Sequence, residues 1–138
     1  ILYSKDKKKA WLGQPHLIRS LEKKFEHLVN GLQSYKTPGT PGQGIIRPTQ
    51  EEDKISLEDQ TLYRSGVGML LYLVKHSRPD IANVVRELSK CMDGATPAAN
   101  KELKRVIKFV LDTRNFGLKI EPIVRKTEDD WDIVIYTD

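Results

Sequence analysis

The longest uncharged apolar run, residues 65–74, lies inside a segment whose apolar residues recur with the period of an α-helix. That spacing places them on one side of the helix, which must then pack against the rest of the chain. A run of this length is about half of a membrane span, so we expect a surface helix with no membrane partner. The apolar side contains Leu62, Gly66, Val67, Leu70, Leu71, Leu73 and Val74.

The opposite side of this helix has an unusual composition, since it contains Arg64, Gly68, Tyr72 and Lys75. An outer face normally carries residues that favour helix, and a glycine there costs about 1 kcal/mol of helix propensity. Two explanations remain open. A nucleic-acid backbone could lie against the glycine and the tyrosine while the two cations reach phosphates, or a second helix could pack there, because glycine also allows close helix–helix contact.

A second cationic group lies farther along the chain. Its members, Lys101, Lys104, Arg105 and Lys108, follow helical spacing and share the side opposite the apolar residues. The group could contact phosphates, with an affinity that depends on salt, or it could be a solvated face. Only Glu102 lies nearby to neutralise it, and the net charge of +4 leans toward a polyanionic partner.

Proline, glycine and short polar residues mark where the helices begin and end. Pro15 suits a first turn, Ser56 and Thr96 can each cap a helix, and Arg78-Pro79 interrupts one. Gly117 is expected to end the last helix. The predicted elements are a hairpin over residues 1–3 and 9–12, helices from Pro15 to Asn30-Gly31, from Ser56 to about His76, from Pro79 and from Thr96-Pro97, and strands over residues 118–120 and 131–136. The sequence therefore predicts a predominantly α member of the α+β class, with an N-terminal β-hairpin remnant, about four helices and C-terminal strands.

The acidic and histidine residues do not form a complete catalytic set. The acidic runs at residues 51–53 and 128–130 fit a solvated loop and a turn. The three histidines fall in different elements without metal-ligand spacing. Asp138 ends an apolar strand, where it could project as a metal-binding carboxylate or serve as a turn residue.

Several segments, taken in order along the chain, carry a family resemblance. They are residues 12–14 with Leu17, Ile18, Leu21 and Phe25, then Thr37-Pro38, residues 63–74, residues 77–82, residues 103–109 with Thr113, Gly117-Leu118, and Tyr136-Thr137-Asp138. Together they cover nearly the whole chain. They resemble the region that follows the palm in copia-type LTR retrotransposon reverse transcriptases.

The resemblance implies a place for each part of the chain. Residues 1–35 would be the end of the palm's primer-grip hairpin and the first thumb helix, and residues 36–55 a Pro/Gly-rich and acidic linker. Residues 56–116 would be the helices of a thumb-like bundle, and residues 117–138 the connection and the first RNase H strand. More distant reverse transcriptases carry, on a thumb helix, a glycine followed four residues later by an aromatic, and this pair lies in the minor groove of the template–primer duplex. Gly68 and Tyr72 match that spacing.

The chain also departs from the family's pattern. The polymerase motif, an aromatic and a small residue followed by paired aspartates, lies upstream in the family and is not found here, and Asp129-Asp130 after Thr127-Glu128 is no substitute. Asp138 matches only the first of the RNase H carboxylates. The segment from Gly13 also differs slightly from the commoner Ser-Gln-x-x-Tyr pattern, so the role of the first helix is less well defined.

The sequence therefore predicts a fragment of a retrotransposon RNA-directed DNA polymerase that grips the primer–template duplex and is inactive in isolation. The expected partners are an RNA–DNA or DNA duplex and the palm and RNase H domains of the same polyprotein. No cofactor is expected within the fragment, and Mg²⁺ is implied for the full-length enzyme. The lone Cys91 fits a reducing compartment, and the expected location is intracellular, in a cytoplasmic particle or the nucleus. The alternative is a non-catalytic helical protein-interaction module from a decayed or domesticated element.

Overall fold

The computed structural model describes residues 1–121, which contain four α-helices and a small sheet. The helices are α1 Pro15–Val29, α2 Leu57–His76, α3 Ala82–Ser89 and α4 Pro97–Asp112. The strands are β1 Leu2–Tyr3, β2 Ala10–Leu12 and β3 Leu118–Ile120, and short 3-10 turns cover Glu51–Asp53 and Pro79–Ile81. The predicted class, α+β and predominantly α, is confirmed. The strand expected at residues 131–136 and Asp138 lie outside the described residues.

Local capping explains where three of the helices begin. Pro15 occupies the first turn of α1, where its missing N–H is not needed. The Ser56 hydroxyl accepts a hydrogen bond from the backbone N–H of Asp59 at 3.1 Å, and the Thr96 hydroxyl accepts one from Ala99 at 3.2 Å. These starts agree with the sequence prediction because a cap is formed by residues three apart in the chain.

All four helices contribute to one apolar core. Helices α1, α2 and α4 contact one another, and α3 packs on α2 and α4. Gly66 lies where α2 approaches its neighbours most closely, since a Cβ there would stand 3.1 Å from Phe25 and 3.2 Å from Leu103. The fully buried core includes Leu21, Phe25, Tyr63, Val67, Leu70, Leu73, Ile81, Val85, Leu88, Leu103, Val106, Ile107 and Val110. No helix within residues 1–121 is long and apolar enough to cross a membrane.

Two sequence predictions about the helices are wrong. Leu71, assigned to the apolar face of α2, is 42% exposed, because that helix turns it away from the core. Helix α4 ends at Asp112, before Gly117, with Thr113 as its C-cap. Gly117 has a different role. A Cβ there would collide with the carbonyl oxygen of Leu12, so glycine allows the chain to pass close to β2 just before β3 begins.

The strands form an antiparallel sheet in the order β1-β2-β3. Paired residues share a face and side chains alternate along each strand. One face therefore carries only apolar side chains, namely Tyr3, Ala10, Leu12, Leu118 and Ile120, all of them exposed or half-buried. The described part of the chain thus leaves an apolar sheet face largely open.

Arg78 joins the turn after α2 to the end of α4. Its side chain is 1% exposed and donates to both carboxylate oxygens of Asp80, at 2.9 and 2.8 Å. It also donates to the carbonyl and the hydroxyl of Thr113 and lies near the rings of Phe109 and Phe116. The sequence predicted a helix break at Arg78-Pro79, which the structure confirms, but it did not predict this buried arginine.

Candidate nucleic-acid interface

The structure places the four residues predicted on the outer side of α2 together on one exposed surface. Arg64, Gly68, Tyr72 and Lys75 are all exposed, and we call this set the α2 outer face. The core residues of α2 point the opposite way. Because the helix rises about 1.5 Å per residue, the α2 outer face extends over roughly 16 Å from its first to its last member.

Gly68 is the residue of this face that the fold itself does not explain. A Cβ built there would meet nothing within 4 Å, whereas Gly66 on the same helix lies against Phe25 and Leu103. Helical glycine costs about 1 kcal/mol relative to alanine, and inside residues 1–121 nothing offsets that cost at Gly68. The lack of a side chain there has a physical reason only if something outside the described residues approaches the helix backbone.

Tyr72 presents an aromatic ring to solvent in a fixed orientation. It is 54% exposed, and its ring lies 4.2 Å from the ring of His76, tilted by 33°. The Nδ1 atom of His76 is 2.9 Å from the carbonyl oxygen of Tyr72, which fixes the position of the imidazole one turn later. The tyrosine ring is therefore supported on one side and open on the other, an arrangement suited to packing against a sugar or a base.

The two cations of the α2 outer face differ in their contacts within the molecule. Arg64 donates from Nε to the carbonyl oxygen of Met92 at 2.6 Å, close to the end of α3. A guanidinium has five N–H donors, so Arg64 can be held in place by one and still bind an anion with others. Lys75 lies in the last turn of α2 and is exposed.

The cationic residues on α4 make more contacts within the molecule than those of the α2 outer face. Lys101 is exposed and Lys104 half-buried. Arg105 stacks on the ring of Tyr35 at 4.3 Å, and Lys108 pairs with Asp112 at 2.5 Å with its side chain only 18% exposed. Lys101 and Lys104 are therefore the members of this group that a phosphate could reach without displacing a partner.

Residues 35–45, which we call the strap, lie across α4 and α3 and were predicted only as part of a linker. Glu102 accepts hydrogen bonds from the backbone N–H and the hydroxyl of Thr40, at 2.6 and 2.9 Å. Gly39 allows the close approach, because a Cβ there would stand 3.1 Å from Val84. At the other end, hydrogen bonds from Lys90 and from the backbone of Ile45 hold the pKa of Glu87 below its ordinary value.

A cavity of about 470 Å³ separates part of the strap from α4. Its walls include Tyr35 and Thr40 on one side and Lys101, Lys104 and Arg105 on the other. Two positively charged lysines thus face a space that the strap partly closes. The long-range contacts that create this space could not be predicted from helical spacing.

Buried polar residues near α2 act as structural links. The Tyr63 hydroxyl donates to the carbonyl oxygen of Leu88 at 2.7 Å, and burial raises the pKa of Tyr63, which keeps the phenol neutral. Gln60 bonds to the backbone of Met92 and Ala95. Within residues 1–121 no three His, Cys, Asp or Glu side chains are grouped so that they could hold a metal ion. The metal prediction for Asp138 lies outside the described residues.

Comparison with known proteins gives partial similarities. No protein-family model matches the chain, and no solved structure matches it. The chain is 32% identical over 74 residues to "Secreted RxLR effector protein 161" of Plasmopara viticola, which covers 50% of this chain and 52% of that protein. It is 40% identical over 80 residues to the "Retrovirus-related Pol polyprotein from transposon RE1" of Arabidopsis thaliana, covering 54% of this chain and 5% of the polyprotein.

A third relative covers more of the chain at lower identity. The "Retrovirus-related Pol polyprotein from transposon TNT 1-94" of Nicotiana tabacum is 25% identical over 119 residues, which is 82% of this chain and 8% of that polyprotein. The chain thus spans about half of the effector protein and a small part of each polyprotein. These partial similarities support an origin related to retrotransposon Pol polyproteins.

Proposed function

We propose that this chain is the thumb and connection region of a retrotransposon reverse transcriptase and that the α2 outer face holds the primer–template duplex. The observation that carries the proposal is Gly68, an exposed helical glycine with open space above it and Tyr72 one turn later. A backbone without a side chain allows a sugar–phosphate edge to lie directly on the helix. The tyrosine ring then contacts sugar or base edges, and Arg64 and Lys75 reach phosphates on either side.

The shape of an RNA–DNA hybrid suits this surface. A-form duplexes have a wide, shallow minor groove, against which a flat helix face can lie without inserting long side chains. Contacts of this kind recognise the form of the duplex and its phosphates rather than its sequence. In this proposal Lys101 and Lys104 provide a second, weaker set of phosphate contacts.

The chemistry in this proposal belongs to other parts of the polyprotein. The palm would supply the polymerase carboxylates, the RNase H domain would begin near Asp138, and Mg²⁺ would bind there and in the palm. The largely open apolar face of the sheet supports a contact with the palm, since such a face is costly to leave in water. The parent enzyme would act inside the cell, in a cytoplasmic particle or the nucleus.

The proposal is tested by titrating the chain with an RNA–DNA hybrid at two salt concentrations. We expect binding that weakens steeply with salt, because phosphate contacts release counterions. We expect Gly68→Glu and Tyr72→Ala each to raise the dissociation constant by roughly tenfold, which corresponds to about 1.4 kcal/mol. The readout is fluorescence anisotropy of a labelled hybrid.

A matched control separates a local effect from a general charge effect. Gly44→Glu introduces the same charge at another exposed glycine with no atom within 4 Å of its Cβ position, but in the strap. It should leave the affinity within about twofold of wild type, since Gly44 belongs to the strap and not to α2. Equal losses for Gly44→Glu and Gly68→Glu, or no binding of the hybrid at low salt, would exclude the proposal.

A second candidate function is a non-catalytic helical module that binds another protein. The apolar face of the sheet favours it, because such a surface is typical of protein–protein contacts. One relative is named a secreted effector rather than a polyprotein. This candidate predicts that substitutions on the α2 outer face leave the affinity for partners unchanged, whereas Ile120→Lys on the sheet abolishes it.

A further inference from the structure

The strap contains a repeated tripeptide whose two copies have opposite electrostatic surroundings. Thr37-Pro38-Gly39 is followed directly by Thr40-Pro41-Gly42. The hydroxyl oxygen of Thr37 accepts a hydrogen bond from Arg105 Nη2 at 3.1 Å, whereas the hydroxyl of Thr40 donates to the carboxylate of Glu102 at 2.9 Å. The Thr37 hydroxyl thus bonds to a cation, whereas the Thr40 hydroxyl bonds to an anion.

We propose that Thr37 is a phosphorylation site for a proline-directed protein kinase and that Arg105 binds the resulting phosphothreonine within the same chain. Thr37 is exposed and lies in a segment without helix or strand. The proline after it has no backbone N–H and disfavours helical geometry at the threonine, which suits binding of this segment in a kinase cleft. This inference goes beyond duplex binding.

The transfer step is the ordinary one for a protein kinase with ATP. The Thr37 hydroxyl oxygen attacks the γ-phosphorus, an O–P bond forms, and the bond from the γ-phosphorus to the β,γ-bridging oxygen breaks. ADP leaves, and the hydroxyl proton passes to the kinase's own base. The product carries up to two negative charges and three acceptor oxygens next to the Arg105 guanidinium.

Arg105 has unused capacity for such a ligand. Its Nε is buried and has no hydrogen-bond partner, which is the one such side-chain atom within residues 1–121. Its present bonds to Thr37 involve a neutral hydroxyl and a carbonyl oxygen at 3.1 and 3.4 Å. A phosphate on that hydroxyl replaces a neutral acceptor with an anionic one, and a guanidinium and a phosphate can form two parallel bonds.

The other two Thr-Pro pairs are poorer sites in this structure. A phosphate on Thr40 would stand against Glu102, which repels it. The hydroxyl of Thr96 caps α4 by accepting from the backbone of Ala99, and Thr96 is half-buried. Phosphorylation of Thr37 removes the hydrogen bond that its hydroxyl donates to the carbonyl oxygen of Gly39 at 3.0 Å. Bonds from Arg105 to the phosphate replace that lost bond. The modified strap would therefore bind α4 more strongly.

The test is phosphorylation of the full chain by a proline-directed serine/threonine kinase with ATP and Mg²⁺, followed by tandem mass spectrometry. We expect the phosphoryl group on Thr37 in wild type and in Thr40→Ala, and none in that segment of Thr37→Ala. Phosphorylation should raise the melting temperature by roughly 2–5 °C in wild type, through the new charge-assisted bonds. In Arg105→Gln the same modification should give no rise.

Each remaining outcome overturns the proposal. Modification mainly at Thr40 or Thr96, no modification of Thr37, or an equal rise in melting temperature in Arg105→Gln would do so. A separate titration with the RNA–DNA hybrid should show a two- to fivefold weaker affinity after modification, because the phosphate adds negative charge next to Arg105 in the cationic group of α4. That last effect rests on the proposed function, whereas the site and the thermal shift do not, so the two failures can be told apart.

Discussion

Gly66 and Gly68 lie two residues apart on α2 and have opposite surroundings. A Cβ at Gly66 would press on Phe25 and Leu103, whereas one at Gly68 would enter open space. We therefore expect Gly68→Ala to raise the free energy of unfolding by about 0.5–1 kcal/mol, through helix propensity alone. Gly66→Ala should show no gain or a loss, because overpacking of a core costs about 1–3 kcal/mol. Urea denaturation of the two variants measures both values.

The same pair separates a functional glycine from a structural one. Gly68→Ala should weaken binding of an RNA–DNA hybrid while it stabilises the fold, which is the usual trade-off at a binding site. Equal stabilisation by both substitutions would contradict the packing role of Gly66. A stabilised Gly68→Ala variant with unchanged hybrid affinity would contradict the proposed contact at Gly68.

How far the sequence predicts a residue's surroundings depends on how far away its partners are in the chain. Ser56 and Thr96 were predicted as caps because each bonds to a residue three positions later. Exposure of the α2 outer face was predicted for the same reason, since helical periodicity is a local property. Arg105 was predicted either to contact phosphates or to lie on a solvated face. It stacks instead on Tyr35, a contact seventy residues away in the chain that only the tertiary fold creates.

At the scale of the elements, the Arg78 side chain links the turn before α3 to the end of α4. The side chain is buried, pairs with Asp80 and donates to Thr113. The ammonium group of lysine lacks the planar fork of a guanidinium. It therefore cannot form the paired bonds to the carboxylate and the bonds to Thr113 at the same time. We expect Arg78→Lys to lower the free energy of unfolding by about 2–4 kcal/mol, because buried polar groups are then left unpaired.

The chain contains a matched control for the contacts of Arg78. Arg114 binds Glu22 with two bonds of 3.1 and 2.7 Å, linking the end of α4 to α1, but its side chain is 47% exposed. Arg114→Lys should cost less than about 1 kcal/mol, since exposed ion pairs are weak. Chemical denaturation of both variants provides the comparison. If both substitutions lowered the free energy of unfolding by similar amounts, the contacts of Arg78 would not be stronger than those of Arg114.

Across the whole molecule, the core and the sheet contribute differently to stability. Within residues 1–121, every buried apolar residue of the core lies between Ile18 and Leu111, so residues 1–12 and β3 add little to it. The sequence predicted the hairpin from its charged turn and β3 from alternation. The exposure of the apolar residues in these three strands depends on which other elements cover them. The helices should therefore form the cooperative unit, and the sheet should be an attached surface.

Two truncations test that division. Removing residues 1–12 should leave a chain that unfolds cooperatively, with a melting temperature within about 5 °C of the full chain, because no core side chain is lost. Removing residues 1–30 takes away Ile18, Leu21, Phe25 and Val29. Each such loss costs about 2–5 kcal/mol, so the four together cost as much as the roughly 5–15 kcal/mol that stabilises a typical domain. Circular dichroism melts distinguish the two chains. If the shorter deletion also abolished cooperative unfolding, the sheet would belong to the folding unit, and its open apolar face would be needed to hold the helices together rather than to meet a partner.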